Sequence, residues 1–119
     1  MTYFETKKYI KEALFQICED YADYEAEKIM ISVFEKDRKE LSLCYREEAP
    51  DRSSEIEDII NRRKSGEPLS YILGKTDFFG LSLNVSNACL TPRADTEVIC
   101  EKAIEFLKNK KCADALDIC

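Results

Sequence analysis

Two stretches of the sequence carry side chains whose types and spacing suit chemistry as well as packing: RRKSGEPLSYILGKTDFFG over residues 62–80, and LTPRADTE over residues 90–97. In the second, the Pro92–Arg93 turn ahead of Thr96 and Glu97 puts a guanidinium and a carboxylate at the start of a helix. Arg93 can donate through a planar fork and Glu97 can accept. Two readings stay open: an Arg–carboxylate pair that locks a hairpin to the helix after it, or a charged pair beside a bound substrate or cofactor. In the first stretch, Gly66, Glu67 and Pro68 read most simply as a helix stop and the first turn of another helix. Phe78 and Phe79 are neighbours in an extended run. Their side chains point to opposite faces, so at most one of them lines a pocket and the other packs.

Other chemistries are poorly served. The six cysteines are irregularly spaced, form no CxxC pair and have no histidine to join them, so the usual zinc ligand pattern is missing and no metal is expected. We read them as reduced thiols packed as small hydrophobes. A formal charge of −6 opposes a general affinity for phosphate backbones, and the basic run Arg62–Arg63–Lys64 is too short to reverse it. No direct nucleic-acid partner is expected. There is no apolar run long enough to span a bilayer, and MTYFETKKYIKEAL alternates charge with apolar residues instead of building a signal-peptide core. The reading is therefore a cytoplasmic protein with no membrane partner.

The elements that must position these side chains follow from periodicity. At 119 residues, with 45% hydrophobic and 35% charged content, the chain suits one compact domain and an extension. Residues 2–18 read as a helix with the stripe Ile10, Ala13, Leu14, Ile17, opened by Thr2 and Glu5 at capping-box spacing. Residues 23–36 repeat the pattern through Ala26, Ile29, Met30, Val33 and Phe34. A short helical segment is expected around residues 39–45, ahead of a break at Pro50–Asp51. Ser54 and Glu57, again at capping-box spacing, should open a helix with the stripe Ile56, Ile59, Ile60 that ends near Gly66. Pro68 to Leu73 suits one more short helix, closed by Gly74. The period then changes to two: TDFFGLSLNVS alternates Leu81, Leu83 and Val85 with polar neighbours around a turn at Gly80, which predicts a β-hairpin. Residues 96–108 return to helical spacing, and residues 113–118 form a short apolar run of the kind found in buried strands.

With the motifs in view, a family resemblance emerges. The first stretch resembles the RR..GEP..Y..G...F.G signature of the bacterial release-factor glutamine methyltransferases, the HemK/PrmC family. The second is similar to their IPRPDTE segment, and ALDIC to the start of the strand that leads into their glycine-rich methyl-donor loop. Two positions depart from the pattern: Ala94 stands where proline is usual, and Thr91 where an aliphatic residue is common.

The resemblance implies a mainly α fold. A helical substrate-recognition bundle over residues 1–74 would be followed by a β-hairpin linker over 75–92. The first helix and strand of a truncated Rossmann-like methyltransferase domain would then occupy 93–119. It implies that the family's glycine-rich loop and Asn-Pro-Pro-Tyr turn lie beyond Cys119. These residues would then hold no catalytic group and would not bind S-adenosylmethionine by themselves. Pro92, Arg93, Thr96, Glu97 and Phe78 would lie near a substrate or a domain boundary, and Asp117 would help bind the cofactor by orienting the donor loop. The whole protein would methylate the glutamine of a Gly-Gly-Gln loop, with peptide chain release factors as partners. The rival readings are a stand-alone helical interaction module, and a methyltransferase for another protein or a nucleic acid.

Overall fold

The computed structural model describes residues 1–118 and divides into two compact units, Met1–Gly74 and Lys75–Cys119. The architecture is mainly helical, with one two-stranded antiparallel hairpin among the described residues.

In the first unit, α1 (Tyr3–Leu14) begins where the sequence predicts. The Thr2 hydroxyl accepts the Glu5 N–H at 3.2 Å, and the Glu5 carboxylate accepts the Thr2 N–H at 2.8 Å, which satisfies two donors that a helix start leaves unpaired. The helix ends four residues before the predicted stop. The Leu14 carbonyl takes the N–H of both Ile17 and Cys18, at 2.9 and 3.1 Å, a shared bond that tightens the chain out of the α geometry. Ile17 therefore falls off the buried stripe and lies exposed. A single 3-10 turn at Glu19–Tyr21 leads into α2 (Ala22–Phe34), whose Ala22, Ala26, Ile29, Met30 and Val33 are all buried.

Helix α3 (Arg38–Leu43) carries a capping box of its own, Asp37 with Glu40, both bonds at 2.8 Å. Helix α4 (Ser53–Lys64) starts two residues earlier than a Ser54 cap predicts, with Arg52 in the cap position. Asp51 takes the Ser53 N–H at 3.0 Å and its hydroxyl at 2.7 Å, a local turn that outcompetes the capping box. Glu57, released from capping, accepts the Tyr9 hydroxyl and ties α4 to α1. In α5 (Leu69–Leu73), Pro68 is the extended residue before the helix and not part of its first turn, and Gly74 closes it at φ +74°.

Helices α1, α2 and α4 pack on one another, with α3 and α5 against α2. Ile10, Leu14, Ile29 and Ile60 are the largest side chains fully withdrawn from water. After α3 the chain runs back along the amino terminus: Tyr3 N–H donates to the Glu47 carbonyl at 3.1 Å, Phe4 N–H to Tyr45 at 3.0 Å, and Ala49 N–H to Met1 at 3.0 Å. Edge-to-face ring pairs, Tyr3 on Phe34 and Phe4 on Tyr45, close that seam. No buried side-chain nitrogen or oxygen lacks a hydrogen-bond partner among the described residues.

In the second unit, β1 (Lys75–Phe78) pairs with β2 (Leu81–Asn84) in the register Thr76–Leu83 and Phe78–Leu81. The two loop residues, Phe79 and Gly80, both have positive φ, +50° and +77°, which makes a type I′ turn whose twist matches that of the strands. Helix α6 spans Ala94–Leu107, two residues earlier at its start than the spacing predicts.

The predicted strand over residues 113–118 does not form: this segment has no regular structure, and Leu116 and Ile118 lie exposed. A strand of the buried type exists only when neighbouring strands complete its hydrogen bonds, and the ladder among the described residues is β1 with β2 alone.

Candidate functional site

The start of α6 gathers four of the residues singled out from the sequence. Arg93 is the residue before the helix, extended at φ −113°, and its carbonyl accepts the Thr96 N–H at 3.0 Å. Ala94 is the first helical residue. Proline fits there without losing a hydrogen bond, because that N–H has no intrahelical acceptor, and alanine fits equally well; the departure from the family pattern leaves the backbone path intact. Pro92 is half-buried, while Arg93 and Thr96 are exposed. Asp95 and Glu97 fall in the first turn, where the helix dipole favours negative charge.

Glu97 makes the contact that organises this end. Its Oε1 accepts the backbone N–H of Phe79 at 2.7 Å, so the carboxylate on α6 holds the tip of the hairpin. The lock between hairpin and helix is therefore carboxylate to backbone, not Arg93 to Glu97: no ion pair joins these two among the described residues. The positive φ of Phe79 is unusual for a bulky residue, and the turn is held in that conformation partly by this charged bond. Phe78 is half-buried at the end of β1, whereas Phe79 is exposed in the turn and not in the extended run the sequence predicts. Asp117 is not brought to this cluster. It lies exposed in irregular chain, without a hydrogen bond or ion pair to another described residue.

The GEP junction has an electrostatic structure that spacing does not reveal. Arg62 forks onto Glu67, Nε to Oε2 at 2.9 Å and Nη2 to Oε1 at 2.7 Å. The hydrogen bonds from Arg62 hold the Glu67 carboxyl below the ordinary carboxylate range. The loop between α4 and α5 is thereby folded back on α4, with Gly66 at φ +96° making the reversal. Arg63 forks onto Glu25 of α2 at 2.9 and 3.1 Å, with both side chains largely withdrawn from solvent, 19% and 12% exposed. Burial pushes the nearby Cys18 thiol up, and the Glu25 carboxylate adds to that, so the sulfur is a poor nucleophile. Two of the three charges in the basic run are thus spent inside the helical unit. No signal in the sequence links Glu25 to Arg63, 38 positions apart, and the five-residue step from Arg62 to Glu67 matches no helical spacing.

The family model described as the PrmC N-terminal domain matches residues 5–74. A release factor glutamine methyltransferase of Pasteurella multocida is 33% identical over 115 residues, which is 92% of this chain and 39% of that protein. That of Clostridium botulinum is 43% identical over 61 residues, 51% of this chain and 22% of that protein. That of Haemophilus influenzae is 48% identical over 52 residues, 44% of this chain and 18% of that protein. The chain thus spans at most about two fifths of the length of these relatives.

Proposed function

The chain belongs to the PrmC N-terminal domain family, and from that premise we propose that it is part of a release-factor glutamine methyltransferase whose helical unit docks the release factor. The observation that carries this reading is the match to the Pasteurella multocida enzyme across 92% of the chain.

In the proposed reaction the side-chain amide nitrogen of the Gly-Gly-Gln glutamine attacks the sulfonium methyl of S-adenosylmethionine. An N–C bond forms, the C–S bond breaks, the amide gives up a proton, and S-adenosylhomocysteine leaves. An amide nitrogen is a poor nucleophile because its lone pair is delocalised into the carbonyl, so most of the barrier must be lowered by alignment and electrostatics. Alignment of a loop on a large partner calls for a rigid docking body. The helical unit has the needed properties: its own closed core, capping boxes on α1 and α3, and the partly buried Arg63–Glu25 fork.

Asp117, the residue the resemblance offers to the cofactor, stands exposed outside any strand. We assign donor binding and methyl transfer to the whole protein, acting in the cytoplasm on release factors, and to this chain the docking unit and the clamped hairpin.

The test is peptide mapping by mass spectrometry of a purified release factor. It is incubated with S-adenosylmethionine and either this chain or a longer relative, the Pasteurella multocida enzyme. Methylation of the Gly-Gly-Gln glutamine by the longer enzyme alone is expected. Methylation by this chain would overturn the division of labour, and methylation of a different protein or nucleic acid would overturn the substrate.

A further inference from the structure

Helices α1, α2 and α3 enclose a surface cavity of about 270 Å3. Its floor is apolar, made by Tyr3, Met30 and Leu41, each less than a tenth exposed. Its rim carries Lys7, Glu27 and Arg38. Glu27 is shared between the two cations, 3.8 Å from Lys7 Nζ and 3.0 Å from Arg38 Nε. Lys7 is spent in this way, 19% exposed and also 3.5 Å from Asp23. Arg38 is not: it meets Glu27 through Nε, and its side chain is 81% exposed, so it keeps donors in reach of a partner.

Two features select the occupant. Pockets for drug-sized molecules run from roughly 300 to 1,000 Å3, so this cavity is sized for one or two side chains. The charge left over at the rim is a donor fork, which is complementary to a carboxylate and repels a cationic group. We propose that this groove is where the helical unit reads its protein partner, by accepting a large apolar side chain on Met30 and Leu41 and a neighbouring Asp or Glu on Arg38. The inference rests on the release-factor reading and adds the residues that carry it: the partner segment is an acidic–apolar one on the release factor. Arg38 supplies orientation and rate of encounter, and the floor supplies retention.

The test measures binding of a purified release factor to this 119-residue chain by calorimetry, comparing four variants. Arg38→Glu reverses the exposed charge, and Ser42→Trp fills the groove from its exposed rim; neither position is buried. Arg38→Lys keeps the charge without the fork. Arg52→Glu, at the exposed residue just before α4, is the control. Arg38→Glu and Ser42→Trp are each expected to weaken binding about tenfold or more, Arg38→Lys less, and Arg52→Glu not measurably. Raising the salt concentration should weaken the unaltered chain more than Arg38→Glu. Unaltered binding by both groove variants would overturn the groove while leaving release-factor docking intact. Absence of binding by the unaltered chain would overturn the docking reading itself. Stronger binding by Arg38→Glu would assign the groove to a basic segment.

Discussion

The two units place their apolar side chains differently. In Met1–Gly74, Ile10, Leu14, Ile29 and Ile60 are withdrawn from water between packed helices, and Arg63 and Lys7, the cations drawn furthest in, are paired with carboxylates. In the second unit, Val98, Ile99, Ile104 and Phe106 of α6 are each more than half exposed. Both α1 and α6 have helical periodicity, yet among the described residues only α1 buries its stripe. Since a helix in water draws most of its stability from tertiary packing of its apolar face, the first unit is a self-sufficient body, and α6 depends on local bonds.

The largest expected effect tests that contrast directly. All six tyrosines lie in the helical unit and the chain has no tryptophan, so tyrosine fluorescence reports on that unit alone. In urea titrations, Ile10→Ala should lower its stability by about 2–5 kcal/mol, the cost of a lost transfer term and a cavity. Ile99→Ala on α6 should change the same transition by less than about 0.5 kcal/mol. Equal losses would break the comparison.

Acid should act on the helical unit next. Glu5, Asp51 and Glu67 are held below the ordinary carboxylate range by hydrogen bonds from Thr2, Ser53 and Arg62 respectively. At Asp23, burial pushes upward, but Lys7 and Lys11 together outweigh it, and the group is also lowered. Each releases its proton more readily folded than unfolded, so the unfolded chain binds more protons between the two pKa values. The stability these groups contribute is complete above the unfolded value, about 4.3 for a glutamate, and is lost as pH falls through the folded one. The urea midpoint read by tyrosine should therefore fall with pH below about 5, and less steeply in Glu67→Gln. A midpoint that rises on acidification would contradict these assignments.

The smallest effects belong to the hairpin. Glu97→Ala removes the acceptor of the Phe79 N–H and should speed amide exchange at Phe79 several-fold, for a loss of about 1 kcal/mol, without moving the tyrosine transition. Phe79→Asn places a residue that tolerates positive φ before Gly80, and should slow exchange across β1 and β2 by up to about 1 kcal/mol. If Glu97→Ala leaves that amide unchanged, the clamp is not what holds the turn.

Much of this was legible in the residues, and the limit was the range of the interaction. The Thr2–Glu5 cap, the stripes of α1, α2 and α4, and the reversal at Gly80 all rest on partners within a few positions, so spacing alone exposes them. Ser54–Glu57 has the same spacing as a cap and is not one, because Asp51 takes the backbone first and Glu57 finds Tyr9 on another helix. Of the candidate site, the start of α6 was visible as a motif, but the partner of Glu97 was not. A backbone N–H at a turn leaves no mark in the side-chain sequence.

The sequence by itself determined which segments are helical, where the hairpin turns and to which family the chain is similar, because periodicity, caps and motif residues are local properties. Tertiary structure alone decided that Arg63 meets Glu25, that Glu97 holds the hairpin tip, and that Lys7, Glu27 and Arg38 edge a single groove. It also decided that the apolar run after α6 stays in irregular chain. Each of these outcomes depends on which distant groups the fold brings within a hydrogen bond's reach, and that distance is set by the packing of whole elements.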